Sequence, residues 1–309
     1  MPVVPVSSGF IQANTNGELH DANSATLSPL NRGFLYGDAI YEVWRTYHCV
    51  LFAWEDHWRR LEKSAESIGM SIPWSADHVL REIMATVKAF SATAEEKEDL
   101  YIRLQIYRGE GELGLDTQHA DRPGFIILVK RVPTITTTHL STGLDVAIAS
   151  GVRRNPIECL NPAWKTGNYL NNIVGLREAK SRGFDDILFM NLAGELTEAS
   201  TSNLAFIQGN QWITPPTSAG ILHGITRAKT LARVAQAAGL IAVERTIRPE
   251  ALGEYEEAML LSTTKDVQPV GRIEETSFCT GPNSVTRRLK EAFASMAREY
   301  ADTHPEFTV

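Results

Sequence analysis

The chain has 309 residues, 43% apolar and 22% charged, with a formal net charge of −7. That length buries a large core and favours two domains over one, and the charged fraction is that of a globular chain rather than a disordered one. The negative balance argues against nonspecific binding to nucleic acid or to an acidic membrane surface, while leaving room for a local basic pocket.

The first elements read as α+β. Residues 8–21 fit a hairpin around Asn16-Gly17, a favoured tight-turn dipeptide. Tyr41–His48 reads as a strand. Glu55–Ile68 reads as a helix with Trp58, Leu61, Ala65 and Ile68 on one face. Ser75 is placed to cap a second helix that turns Val79, Ile83 and Val87 inward. Strands follow at Asp99–Tyr107 and Gly124–Lys130. The polar, proline-containing stretch from Val132 to His139 lacks helical period and reads as a linker. Beyond it, strands at Leu144–Ser150, Asp186–Met190, Asn203–Ile207 and Ala258–Ser262 alternate with helices near 168–182, 226–238 and 284–300. Hairpin-like pieces such as Ile207 to Trp212 break the regular rhythm of a doubly wound sheet. The expected division is a domain over 1–132, a linker over 133–142 and a larger domain over 143–309.

Cys49, Cys159 and Cys279 are far apart, odd in number and without a C-x-x-C pair, so neither a disulfide framework nor a metal site is expected. The first residues lack a basic segment followed by an apolar run, so no signal peptide is expected. No stretch reaches the roughly 20 apolar residues of a membrane helix. A reducing cytoplasm fits these features.

Gly109-Glu110-Gly111-Glu112-Leu113-Gly114 matches G-x-G-x-x-G after a predicted strand. A dinucleotide site needs a helix to start there, and loop-like sequence follows instead. Two glutamates inside the motif would also repel phosphate. A glycine-rich turn is the better reading.

Four segments carry candidate chemistry. Asn161 to Leu170 sets Lys165 in an apolar, turn-rich stretch before a helix, where a lysine taken out of water becomes a nucleophile or Schiff-base partner. Gly194 to Leu204 leads into a strand and holds Glu198, an acid able to keep a pyridine nitrogen protonated. Gly220 to Arg227 opens a helix, with Thr226 as expected N-cap, and offers backbone N–H groups to a phosphate. Asp56 to Leu61 supplies an arginine able to clamp a phosphate. Taken alone, each has an ordinary explanation: a surface lysine, a solvated acid, a capped helix, a solvated arginine.

Together, and in this order, they resemble the class IV aminotransferases, the fold-type IV pyridoxal phosphate enzymes, closest to the branched-chain and D-amino acid aminotransferases. The matching segments run from Asn31-Arg32-Gly33-Phe34-Leu35-Tyr36-Gly37-Asp38 to Thr263-Thr264-Lys265-Asp266-Val267-Gln268-Pro269-Val270. The resemblance implies a small N-terminal α/β domain, a larger pseudo-barrel domain, a homodimer, and pyridoxal 5′-phosphate as cofactor. It implies Lys165 as the catalytic Schiff-base residue, Tyr169 at the cofactor's phenolic oxygen and Glu198 at the ring nitrogen. It implies Leu222 packed on the ring, with Arg60, Ile225, Thr226 and the Thr263-Thr264 turn at the phosphate.

For the substrate, Tyr101-Ile102-Arg103 resembles the Y-I-R segment of branched-chain enzymes. The run Arg108 to Asp116 resembles the loop of archaeal-type members, in which Tyr36 and Leu115 reach the neighbouring subunit's pocket. Tyr41 and Lys265 complete the implied substrate set. Three features depart from the branched-chain pattern. Thr263-Thr264-Lys265 stands where Gly-Thr-Ala is usual, so a lysine crowds or recharges the carboxylate site. Tyr41-Glu42-Val43 replaces Phe-Glu-Gly and looks more like the D-amino acid enzymes. Yet the R-x-H pair of those enzymes is absent, since Gly109 and Glu110 follow Arg108. The expected reaction is transamination between a branched-chain L-amino acid and a 2-oxo acid. D-amino acid or (R)-amine transamination, aminodeoxychorismate lyase activity and non-enzymatic cofactor binding are the alternatives.

Overall fold

The computed structural model describes residues 9–93, 98–120, 122–133 and 136–309. The chain divides into two compact units, Met1–Pro133 with Tyr300–Val309, and Thr134–Glu299.

The first unit is a six-stranded antiparallel sheet. β1 (Gln12–Thr15) and β2 (Glu18–Asp21) meet at the Asn16-Gly17 turn, where both residues have positive φ, the conformation this dipeptide favours. Residue 8, where the expected hairpin begins, lies outside the described residues. The other strands are β3 (Ala39–Tyr47), β4 (Val50–Leu51), β5 (Leu100–Tyr107) and β6 (Gly124–Arg131), in the order β2-β1-β6-β5-β3-β4. Alternation along each strand decides its faces. Ile40 and Trp44 of β3, Ile102, Leu104 and Ile106 of β5, and Phe125, Ile127 and Val129 of β6 join one core. α2 (Trp54–Ser67) adds Trp58, Leu61 and Ala65, and α3 (Ala76–Ser91) adds Val79, Ile83 and Val87. The Ser75 side chain caps α3 by accepting from the His78 N–H. A shorter helix, α1 (Arg32–Tyr36), precedes β3.

The last ten residues belong to this unit, not to the larger one expected from sequence. Phe307 sits in the core with its ring 6.2 Å from Trp54, Thr308 bridges Val50, and the Val309 N–H donates to the Cys49 carbonyl at 2.8 Å. The pull is apolar, and a sequence pattern does not say which core a short aromatic tail will join.

The glycine-rich run after β5 starts no helix beyond a three-residue turn at Thr117–His119. Its glycines answer to crowding. A side chain on Gly109 would lie 2.2 Å from the Arg122 carbonyl oxygen, and one on Gly111 2.4 Å from that of His119. Arg32, buried, holds the loop from inside. It ion-pairs with Asp38 at 3.0 Å and donates to the carbonyls of Gly114, Leu115 and Asp116.

In the second unit, the stretch read as a linker holds a short helix, α4 (Thr137–Ser141), capped by Thr136 through the His139 N–H. Residues 134 and 135 of that stretch lie outside the described residues. Side-chain capping supplies here what apolar periodicity does not show. The strands are β7 (Leu144–Ile148), β8 (Asp186–Met190), β9 (Leu196–Ala199), β10 (Asn203–Gln208), β11 (Gln211–Thr214), β12 (Ile241–Glu244), β13 (Glu257–Ser262), β14 (Asp266–Ile273) and β15 (Thr276–Ser277). Six of them close a ring, β10-β13-β14-β7-β8-β9, because β9 pairs back onto β10 through Glu198 and Asn203. Every ring strand contributes to one apolar cluster, among them Val146, Leu188, Leu196, Phe206, Leu260 and Val270. Helices α5 (Leu170–Ser181), α6 (Ile225–Lys229), α7 (Ala235–Ala237) and α8 (Val285–Thr303) complete this part of the chain, with a wider π turn at Thr230–Val234 between α6 and α7. No described helix is long and apolar enough to cross a membrane.

Truncating the buried Phe307 to Ala is expected to cost about 3 kcal/mol of stability. Urea unfolding at neutral pH checks it, and an unchanged midpoint would show that the tail does not hold the first unit's core.

Candidate active site

β9 is only four residues long, yet all four are buried. Ser200, Thr201 and Ser202 then turn the chain into β10, with the Ala199 N–H donating to the Ser202 carbonyl. That tight return places Glu198 directly opposite Asn203 at the ring's seam. Both are buried. Arg154, also buried, reaches one Glu198 oxygen with Nε at 2.9 Å and with Nη2 at 2.8 Å. The other oxygen accepts from Asn203 Nδ2 at 3.1 Å and from the Leu222 N–H at 3.0 Å. Burying a carboxylate this way is costly unless a cation and donors are fixed around it.

The same groups draw the neighbouring segments together. Asn203 Nδ2 also donates to the Leu222 carbonyl, 3.0 Å away. Two residues on, Gly224 is the N-cap of α6, and a side chain there would meet Asn203 Oδ1 at 1.9 Å. Glycine is therefore required for the close approach. The cap is Gly224 rather than the expected Thr226, which lies buried within the first turn. No side chain caps this start, so its first N–H groups are left for an anion.

Lys165 is partly buried, in a turn-rich segment that ends at Tyr169, the N-cap of α5. The first turn of α5 is tied to the acid's surroundings. Arg154 Nη1 donates to the side-chain oxygens of Asn171 and Asn172, and Asn172 Nδ2 donates to the Ser200 carbonyl at 2.7 Å. Lys165 and Tyr169 thus lie on a segment anchored to the groups that hold Glu198.

Thr263, Thr264 and Lys265 form the turn between β13 and β14. The Lys265 side chain bends to Asp186 at the start of β8, 3.1 Å away, and lies 3.4 Å from Ser202 Oγ. The lysine where the resemblance expects alanine therefore has its own acid.

The remaining sequence-predicted residues lie in the first unit. Tyr41, Tyr101 and Arg103 point from β3 and β5 to the face opposite the helices, with the Arg103 guanidinium 3.8 Å from the centre of the Tyr41 ring. The Tyr36 hydroxyl accepts from the Gly114 N–H, and Leu115 is strongly exposed. Arg60 is buried on the helix side of β3, where Nε and Nη2 donate to the two oxygens of Glu42 at 2.6 and 2.7 Å. His57 Nδ1 lies 2.8 Å from Glu42 Oε2. Burial pushes the Glu42 carboxyl up, but the charge and hydrogen bonds of Arg60, with His57, hold it far below the ordinary carboxylate range.

Arg154 and Asp186 are missing from the sequence reading. Nothing local separates Arg154 from Arg153 beside it, or marks the first residue of a strand as an ion-pair partner 79 positions from its lysine. Among the described residues, no group of three or more His, Cys, Asp or Glu is arranged to hold a metal ion.

The pattern of the family described as amino-transferase class IV matches residues 39–273. A Methanocaldococcus jannaschii protein provisionally named a branched-chain-amino-acid aminotransferase is 30% identical over 286 residues, covering 92% of this chain and 96% of its own. The branched-chain-amino-acid aminotransferase of Pseudomonas aeruginosa is 26% identical over 297 residues, 94% of each chain. Among solved structures, the branched-chain aminotransferase of Thermoproteus uzoniensis with norvaline superimposes with a TM-score of 0.84 at 26% identity, over 97% of this chain and 98% of that one.

Two outcomes are expected. Replacing Arg154 with Met leaves Glu198 buried without its cation and costs about 3–5 kcal/mol, whereas the double variant with Glu198→Gln recovers most of that loss. Urea unfolding of the wild type, the single variant and the double variant decides it. Glu42 contributes stability that is complete above the ordinary carboxylate range and lost as pH falls toward its depressed folded value. Glu42→Gln is therefore less stable than wild type at neutral pH, and the gap narrows in acid. A gap that stays constant down to about pH 3 would contradict the linkage.

Proposed function

The chain belongs to the class IV aminotransferase family, and on that premise we propose that it moves an amino group between a branched-chain L-amino acid and a 2-oxo acid. Pyridoxal 5′-phosphate, the cofactor of this family, supplies when bound an aldehyde that joins amines and a ring that takes up electrons. The donor set fits it: a partly buried lysine, an acid fixed between a guanidinium and two N–H donors, and a helix start with no side-chain cap.

The observation that carries the reading is Glu198, buried and paired with Arg154. A carboxylate so held favours a proton on a ring nitrogen beside it, which makes that ring an electron sink. Lys165 would hold the cofactor through its amine, and that same amine is the group that would move the substrate's α-proton. Tyr169 would donate to the phenolic oxygen, and Leu222 would pack on the ring. Ile225, Thr226, Thr263 and Thr264 offer N–H and hydroxyl groups to the phosphate. The family's motif adds Arg60, whose fork is oriented by Glu42.

The branched-chain preference rests on the names of the relatives and on the wall formed by Tyr41 under Arg103, with Tyr101 on the same sheet face. The proposed macromolecular partner is a second copy of the chain, with Tyr36 and Leu115 reaching its substrate pocket; no role with nucleic acid or membrane is proposed. Phe34, Leu113, Leu115, Leu170 and Ile173 are large apolar side chains left exposed, as expected of faces covered in a dimer. The proposed location is the cytoplasm.

The test is a half-reaction screen of the purified enzyme, following cofactor absorbance with L-leucine, L-glutamate, D-alanine and (R)-1-phenylethylamine in turn. L-leucine is expected to give the fastest change; a response to D-alanine or the amine alone overturns the L-preference. Lys165→Ala is expected to keep the cofactor and lose activity by a factor on the order of a thousand or more. Substantial turnover by that variant without added amine would remove the lysine from its role.

A further inference from the structure

Lys265 stands in a turn with an anion-binding role in the reading above, and that role is the ground on which this inference rests. A free ammonium there would be the natural partner of a substrate carboxylate, but the structure gives it a different one. Its Nζ is 3.1 Å from Asp186 Oδ2 and 3.4 Å from Ser202 Oγ, and the Asp186 side chain is only 5% exposed. The other Asp186 oxygen accepts from the Ile187 N–H at 2.9 Å and from the Ser200 N–H at 3.3 Å. Ser200 is two residues past Glu198. The Lys265 backbone is held as well: its N–H donates to Ser262 Oγ at 3.2 Å, and its carbonyl accepts from Lys290 Nζ at 3.4 Å. The next residue, Asp266, has φ of 55°, a left-handed conformation that costs a non-glycine residue energy, and Lys290 lies 3.6 Å from its carboxylate.

We propose that Asp186 and Lys265 are a positioning pair. The ammonium fixes the Thr263–Lys265 turn against the loop that follows Glu198, and serves the reaction through Asp186 rather than by touching the substrate carboxylate. Lending the ammonium to a substrate would leave Asp186 buried with its countercharge withdrawn, which is costly. Keeping it on Asp186 leaves the backbone of Thr263 and Thr264 to meet the anion, and spans the distance from the turn to the acid's loop with one ion pair.

Direct contact and positioning predict opposite signs for the Asp186 variant. The holoenzyme and its Asp186→Asn, Lys265→Met, Lys265→Arg and Asp186→Asn/Lys265→Met variants are assayed with L-valine and 4-methyl-2-oxopentanoate, following L-leucine formation, with KM and kcat determined separately and Tm measured alongside. Positioning predicts that Asp186→Asn and Lys265→Met each raise KM for the 2-oxo acid about tenfold, with a smaller change in kcat. The double variant is then no worse than either single, because both break one interaction, and Lys265→Arg stays near wild type. If Asp186→Asn lowers KM or leaves it unchanged while Lys265→Met raises it, the lysine touches the substrate and the proposal fails. It fails equally if Tm falls in every variant with KM unmoved, since the pair is then only structural. Failure of the functional reading itself would show in the wild type, as no turnover of the 2-oxo acid.

Discussion

Closing a six-stranded ring with a strand of four residues leaves little room for error, and in this protein the closure rests on the pairing of Glu198 with Asn203. The pair does two things at once. It joins the last two strands of the ring, and it sets a carboxylate where Arg154, Asn203 and the Leu222 N–H converge on it. Since Asn203 also holds the Leu222 carbonyl, the acid, the segment leading to the α6 start and the ring seam are fixed by one set of hydrogen bonds. A shift of the seam by one residue would turn Glu198 to the other face of the sheet. Fold and candidate chemistry are specified by the same contact.

Buried charge is handled alike elsewhere in the molecule. Glu42 takes Nε and Nη2 of Arg60, Asp186 takes Lys265, and Glu257 accepts from the N–H groups of Val285 and Thr286 at the start of α8. Each pairing joins residues distant in sequence, and each acid lies on a strand while its partner comes from a helix or a turn. For Glu42 and Asp186, an anion fixed on a strand orients a longer cationic side chain. Such pairs add little net stability over apolar packing, but removing one partner is costly, so they hold geometry firmly.

Much of this was legible in the chain. The amphipathic patterns of α2 and α3, the Asn16-Gly17 turn and the β10–β11 hairpin follow from local rules that the structure obeys. Lys165, Glu198 and the helix opening within Gly220 to Arg227 stood out because motifs in a fixed order are far more specific than any one of them, although the cap was expected at Thr226 and stands at Gly224. The losses have physical causes. β9 is too short to show alternation, and β14 carries Pro269 and Gly271, residues that argue against a strand by themselves. The helix expected over 226–238 is present but widens into a π turn at its middle, which side-chain periodicity does not register. Arg154 and Asp186 owe their roles to partners 44 and 79 residues away, and no window along the chain contains both members of either pair.

The return from β9 to β10 has a consequence for how this chain can vary. Three residues, Ser200 to Ser202, make the crossing, with the Ala199 N–H on the Ser202 carbonyl. The Ser200 side chain is free to change so long as the backbone keeps its path, since the bonds that Ser200 makes to Asp186 and Asn172 come from its N–H and its carbonyl, whereas Ser202 sets its Oγ beside the Lys265 ammonium. Its length is another matter. One inserted or deleted residue would move Glu198 out of step with Asn203, breaking the seam and misplacing the acid in a single event. The crossing works as a ruler, and descendants of this gene should show substitutions within it but no gaps.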